Sequence, residues 1–197
     1  MHASHLDRAP LPPDMTAENE MRFMPIGSTA EREVVAYPEP AEYQAFYTAY
    51  GECFSTWSEV ETSLLAIFLT VLKSPDYPAS SSAFYSATGF RAKLDLVDAV
   101  VTNAESIGDD ERNLWASLRQ TASKSSLRRN QLAHDTVFYG RLSEKEGRKL
   151  FIGYPRLPHA KARLHTHDLK QISVSFHSLS SELFAFWQRL LASAPKP

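Results

Sequence analysis

Cysteine is nearly absent from this chain of 197 residues, and Cys53 stands alone. A single thiol makes neither an internal disulfide framework nor a multi-cysteine zinc site. Long apolar runs are missing too. Ser, Thr, Glu, Lys or Arg interrupts every stretch before it reaches the roughly eighteen residues a membrane span needs. The first residues, MHASHLDRAPLPP, hold no apolar core of the kind a secretory signal carries. There is no G-x-S-x-G, no P-loop and no G-x-G-x-x-G, so serine hydrolase, NTPase and dinucleotide readings lack support. These absences fit an expected cytoplasmic, reduced setting with no membrane partner.

The composition is that of a globular chain. Apolar residues make up 43% and charged residues 22%, which excludes full disorder and allows one domain with its own core. The net charge of -2 conceals an asymmetry. Residues 1–60 carry ten acids against three arginines, a net of -7. Residues 119–170 carry twelve cations against four acids, a net of +8. A basic face of this kind attracts a polyanion. An acidic arm folded over the basic region, or simple solvation of both, accounts for the same charges.

Six of the twelve prolines fall in residues 1–40: Pro10, Pro12, Pro13, Pro25, Pro38 and Pro40. No sustained period accompanies them, so this stretch reads as an extended arm. Pro38 and Pro40 are expected to block helix until residue 41. Phe23, Met24, Ile26, Val34, Val35 and Tyr37 would let the arm dock.

Beyond the arm, four segments have helical period. In 41–73 the residues Phe46, Tyr50, Cys53, Trp57, Val60, Leu64 and Phe68 form one stripe, widened by Phe54, Leu65 and Leu72, and Ser74-Pro75 ends it. In 89–106, Phe90, Leu94, Val97 and Val101 repeat the seam, with a short helix over 79–88 before it. In 109–134, Asp109 is the expected N-cap, and the seam is Trp115, Leu118, Ala122, Ser125, Arg129 and Leu132. In 167–193, Thr166 is the expected N-cap. Leu169, Ile172, Phe176, Leu179, Leu183, Phe186 and Leu190 line one face. Between the last two helices, Thr136–Tyr139 and Lys149–Ile152 are β-branched and aromatic runs flanking a polar stretch. They read as a β-hairpin over 136–152 inserted in the chain. The expected architecture is therefore all-α: a four- to five-helix bundle over 41–193, with that hairpin and an N-terminal arm.

One seam residue breaks the pattern. Position 129 should be apolar and is Arg129. A guanidinium on a bundle seam is costly to bury unless paired. Glu61, beside Val60 on the first helix, is the expected partner across the bundle.

Arg129-Asn130-x-x-x-His134 resembles the R-x(4–6)-H motif, with a polar residue after the arginine, of the HEPN superfamily (higher eukaryote and prokaryote nucleotide-binding domains). The surrounding helical pattern and the Trp57-x-x-x-Glu61 helix are similar too. The resemblance covers about residues 41–193 and implies an all-α bundle that dimerises so that two motifs face each other. It also implies, for many members, metal-independent endoribonuclease activity in RNA-targeting defence or toxin–antitoxin systems, so a cognate antitoxin is a further expected partner. Other members are non-catalytic modules that bind a partner protein, nucleotide or RNA.

On this reading no metal or cofactor takes part. His134 is the general base for a ribose 2′-OH, and Arg129 holds the phosphoryl oxygens. Asn130 positions His134 or the phosphate, and Glu61 and Arg128 support the site. Within one regular helix, Arg129 and His134 point about 140° apart. Arg129 must therefore reach around, the helix must unwind near Asp135, Arg128 must substitute, or a two-fold dimer must bring two motifs to one cleft. Arg141, Lys145, Arg148 and Lys149 on the hairpin, with Phe138, Tyr139 and Phe151, are candidates for gripping single-stranded RNA. A solvated hairpin whose alternate residues cover the bundle explains them without any RNA. His165-Thr-His167-Asp168, with His159 upstream, looks like metal ligands but lacks a converging set and reads better as a loop and helix start. Cys53 and the tryptophans read as core.

Overall fold

A computed structural model describes residues 37–140, 147–153 and 163–193. The arm before residue 37, Arg141, Lys145 and His159 lie outside the described residues.

Five helices and a two-stranded antiparallel ribbon make up the described chain. The helix α1 spans Pro40–Leu72. Pro40 does not block it but opens it. The first helical position needs no amide hydrogen, and the fixed φ of proline suits it. At the other end Lys73 adopts a left-handed conformation (φ 50°) and donates its amide to the Leu69 carbonyl at 3.2 Å. Pro75 follows and forbids continuation.

The short α2, Tyr77–Ser86, begins two residues earlier than the sequence suggests. Asp76 caps it, accepting from the Ala79 amide at 2.9 Å. Gly89, at φ 83°, then turns the chain sharply into α3, Gly89–Asn103. A side chain at this φ would be strained. The helix α4 spans Asp109–His134. Its N-cap is Gly108 rather than Asp109. Asp109, Asp110 and Glu111 instead fill the first turn, where the dipole favours acids. The last helix, α5, spans Thr166–Ser193.

The core forms where the stripes face one another. Phe46, Cys53, Trp57, Val60 and Leu64 of α1 are buried, as are all seven face residues expected on α5. Tyr50, Phe54 and Leu65 lie at the edge of the stripe, half-buried, and Leu72 is exposed. Trp57 and Trp115 are buried, Trp187 is half-buried, and each keeps a partner for its N–H. Trp57 donates to Glu61 at 3.0 Å, Trp115 to Asp98 at 2.9 Å and Trp187 to Thr70 at 2.8 Å. These bonds fix where helices meet: Trp115 joins α4 to α3, and Trp187 joins α5 to α1.

The strands β1 (Thr136–Gly140) and β2 (Lys149–Gly153) pair in register Val137 with Ile152 and Phe138 with Phe151. Alternation divides the ribbon. Leu150 and Ile152 are buried against the bundle, and the Leu150 amide donates to Glu42 of α1 at 3.0 Å. The opposite face carries Phe138 and Phe151, stacked at 5.6 Å between ring centroids. Leu164 adds an isolated bridge to Ile152 and ties the ribbon to the start of α5.

Candidate functional site

The last two turns of α4 hold the motif. Leu132 is buried on the seam, and Arg129, one turn earlier, is half-buried. Its Nε atom is buried and has no hydrogen-bond partner among the described residues. A desolvated, unpaired guanidinium N–H is an uncompensated cost in the isolated protomer.

Glu61 does not supply the expected partner. Its carboxylate accepts from Trp57 Nε1 at 3.0 Å and from Lys93 Nζ of α3 at 2.5 Å. Both side chains of the Glu61–Lys93 pair are largely shielded, at 22% and 15% exposure. The pair is satisfied between α1 and α3, so Glu61 does not support Arg129. Lys93 also lies over the Phe84 and Tyr85 rings at 5.8 and 5.4 Å. Arg128 does not replace Arg129 on the seam. It is exposed, and its Nη1 donates to the Gln131 side chain at 3.1 Å.

Asn130 and His134 are both exposed, four residues apart on one helix face. The helix stays regular through His134, and the Asp135 amide still donates to the Gln131 carbonyl at 3.0 Å. Unwinding therefore does not bring Arg129 and His134 together. Within one chain they diverge, Arg129 toward the seam and His134 toward solvent. Leu127, which the sequence reading passed over, joins Asn130 and His134 on the outward stripe, 69% exposed. The signal for it was a leucine off the seam, three residues before Asn130.

The α1 helix covers the other side of this helix end. Tyr50 donates its hydroxyl to the Leu132 carbonyl at 2.9 Å. Tyr43, Tyr47, Tyr50 and Phe54 run along α1 in ring contact, at 4.5, 6.4 and 5.0 Å between successive centroids. Burial, and the neighbouring Tyr43, push the Tyr47 phenol above its ordinary value. Burial does the same to Tyr50, helped by Tyr47 and Cys53.

On the ribbon, Lys149 is exposed and Arg148 is half-buried and engaged. The outer aromatic face is clearer: Arg163 lies over the Phe151 ring at 5.1 Å, and His165 stands 5.9 Å from that ring. In the His165–Asp168 cluster, Asp168 Oδ2 accepts from the His165 amide at 2.8 Å, as an acid in the first turn of a helix does. Among the described residues no group of three or more His, Cys, Asp or Glu converges. Cys53 is buried and donates to the Leu169 carbonyl at 3.1 Å. Burial pushes its thiol up to about 11, which keeps it an inert thiol.

No protein-family model, curated protein or solved structure matches the chain at a level that shows a family. No described helix is long and apolar enough to cross a membrane.

Proposed function

We propose that the chain is a HEPN-like, metal-independent endoribonuclease that acts as a homodimer. The observation that carries this reading is Arg129: a guanidinium on a core seam whose buried Nε has no hydrogen-bond partner among the described residues. Such a group is retained at a cost to stability, and an anion brought to it would satisfy it. A phosphodiester is the anion that the neighbouring Asn130 and His134 suit.

In the reaction, His134 takes the proton of a ribose 2′-OH. The 2′-oxygen bonds to the adjacent phosphorus, and charge grows on the phosphoryl oxygens, where Arg129 holds it. The bond from phosphorus to the 5′-oxygen breaks. That oxygen takes a proton from the second protomer's His134. The products are a 2′,3′-cyclic phosphate and a 5′-OH. Because Arg129 and His134 diverge within one helix, two chains are needed to complete a cleft. The exposed Leu127 beside Asn130 and His134 gives that face an apolar contact.

The test offers the protein RNA and its 2′-deoxy counterpart in EDTA. Cleavage of RNA alone, ending in a cyclic phosphate, is expected. Cleavage of both, or activity abolished by EDTA, overturns the mechanism.

One observation favours a second reading. His134 is exposed and has no hydrogen-bond partner among the described residues to orient its ring. A non-catalytic module that binds RNA, a nucleotide or a partner protein such as an antitoxin needs no such orientation. If wild type and His134→Ala are equally inert on RNA yet bind it alike, the module reading holds.

A further inference from the structure

A cavity of about 370 Å³ opens between α4 and α5, beside the motif but not part of it. Two cations stand at it, Lys124 and Arg128, one helical turn apart on α4. Lys124 has no partner among the described residues. Arg128 commits one N–H to Gln131, and a guanidinium has five.

The cavity's one carboxylate, Asp168, is already engaged. One of its oxygens accepts from the His165 amide at 2.8 Å, and the other is 3.0 Å from His167 Nε2. The start of α5 adds the positive end of its dipole. Its lining thus carries two cations against one carboxylate.

Its floor has a different chemistry. Leu164 and Ile172 are buried and apolar, and Gln171 also lines the cavity. Cations at the rim, an apolar floor and one amide match the parts of a nucleotide: phosphate, ring and base edge. Small-molecule sites of about 300–1,000 Å³ are the usual size for such a unit. One lining residue also joins the cavity to the ribbon. Leu164 bridges to Ile152, and its neighbour Arg163 lies over Phe151, which stacks on Phe138. A strand leaving the cavity meets a cationic and aromatic face of the kind single strands stack on.

We propose that this cavity is a subsite for one nucleotide of single-stranded RNA, with Lys124 and Arg128 on its phosphodiester. The subsite deepens the ribonuclease reading and rests on it for the identity of the polyanion. Arg128 adjoins Arg129, so the nucleotide held here flanks the one whose phosphate is attacked.

The test measures fluorescence anisotropy of a labelled, fully 2′-O-methylated single-stranded oligoribonucleotide, which cannot be cut by 2′-oxygen attack. Full-length wild type, K124Q/R128Q, K124R/R128K and H134A are compared over a salt series, with circular dichroism as the check on folding. The expected result is about tenfold or greater loss of affinity in K124Q/R128Q, with the salt slope reduced by about 0.7 for one lost phosphate contact on a single strand. K124R/R128K and H134A are expected to bind within about threefold of wild type.

Unchanged affinity and slope in K124Q/R128Q overturn the subsite, as does a wild type that binds no RNA. A free nucleoside monophosphate that binds as tightly as the oligonucleotide, and is lost in the same variant, also overturns it by reassigning the cavity to a free nucleotide. Cleavage of natural RNA separates the two readings. If wild type cuts, H134A does not, and K124Q/R128Q binds normally, only the subsite falls. If K124Q/R128Q loses binding but wild type never cuts, only the ribonuclease reading falls.

Discussion

Tyr50 of α1 donates its hydroxyl hydrogen to the carbonyl of Leu132, which ties the end of the motif helix to the neighbouring helix. The carbonyl lies in the last turn of α4, where backbone acceptors lack partners within the helix. Tyr50→Phe keeps the ring and removes the donor. The expected cost is about 1 kcal/mol in urea denaturation. The amides of the last α4 turn should exchange hydrogen faster, with the exchange of α3 unchanged. If those amides exchange as in wild type, the bond does not position the helix end.

Arg129 gives the clearest expected conflict between stability and function. Its buried Nε has no hydrogen-bond partner among the described residues, so an apolar side chain of similar length should fit the seam better. Arg129→Met is expected to raise the unfolding free energy by ~1 kcal/mol while removing RNA cleavage. Urea midpoints and a cleavage assay check this together. A variant that loses stability would mean that the guanidinium is satisfied in the folded protein after all.

The Glu61–Lys93 pair predicts the opposite behaviour. Both side chains are largely shielded from solvent, and Glu61 also accepts from Trp57. Glu61→Ala leaves an ammonium and an indole N–H without their acceptor, and is expected to cost about 2 kcal/mol. Removing Lys93 as well should recover part of that loss. A double-mutant cycle over Glu61 and Lys93 measures the coupling, and additive losses would show the pair to be independent.

The helices were legible because their apolar stripes repeat over many turns. The span of α4 and the whole buried face of α5 follow from that period. Ends were less legible, because caps are local chemistry. Pro40 opens α1 instead of blocking it, and Asp76 starts α2 early. The partner of Glu61 was not legible. A periodic stripe tells which face of α1 is buried but not which neighbour lies along each edge of it, and there the neighbour is α3. The cavity beside Arg128 was hidden for the same reason, since it needs α4 and α5 placed side by side.

Cys53 sets the alkaline behaviour. Its thiol ordinarily ionises near 9.0 and in the fold only near about 11. Unfolding therefore releases a proton in that interval, and stability falls as pH rises from 9 to about 11. The raised Tyr47 and Tyr50 phenols act in the same direction above pH 10. Thermal melts across this range should show a steep fall in wild type and a shallower one in Cys53→Ala, measured against each protein's own midpoint at neutral pH. Parallel curves would mean that the thiol does not contribute.

The divergence of Arg129 and His134 makes a prediction about assembly. The reaction uses His134 of one chain as base and His134 of the other as acid, so a dimer with one His134→Ala chain is inactive. Equimolar mixing of wild type and His134→Ala with random exchange leaves about a quarter of the dimers with two wild-type chains. Cleavage is expected to fall to about a quarter of that of the same total amount of wild type. Co-refolding the two proteins before the cleavage assay ensures exchange. Activity of about a half would show that each chain acts alone, with Arg129 and His134 of the same chain. Helical geometry through His134 would then have to give way in the active state.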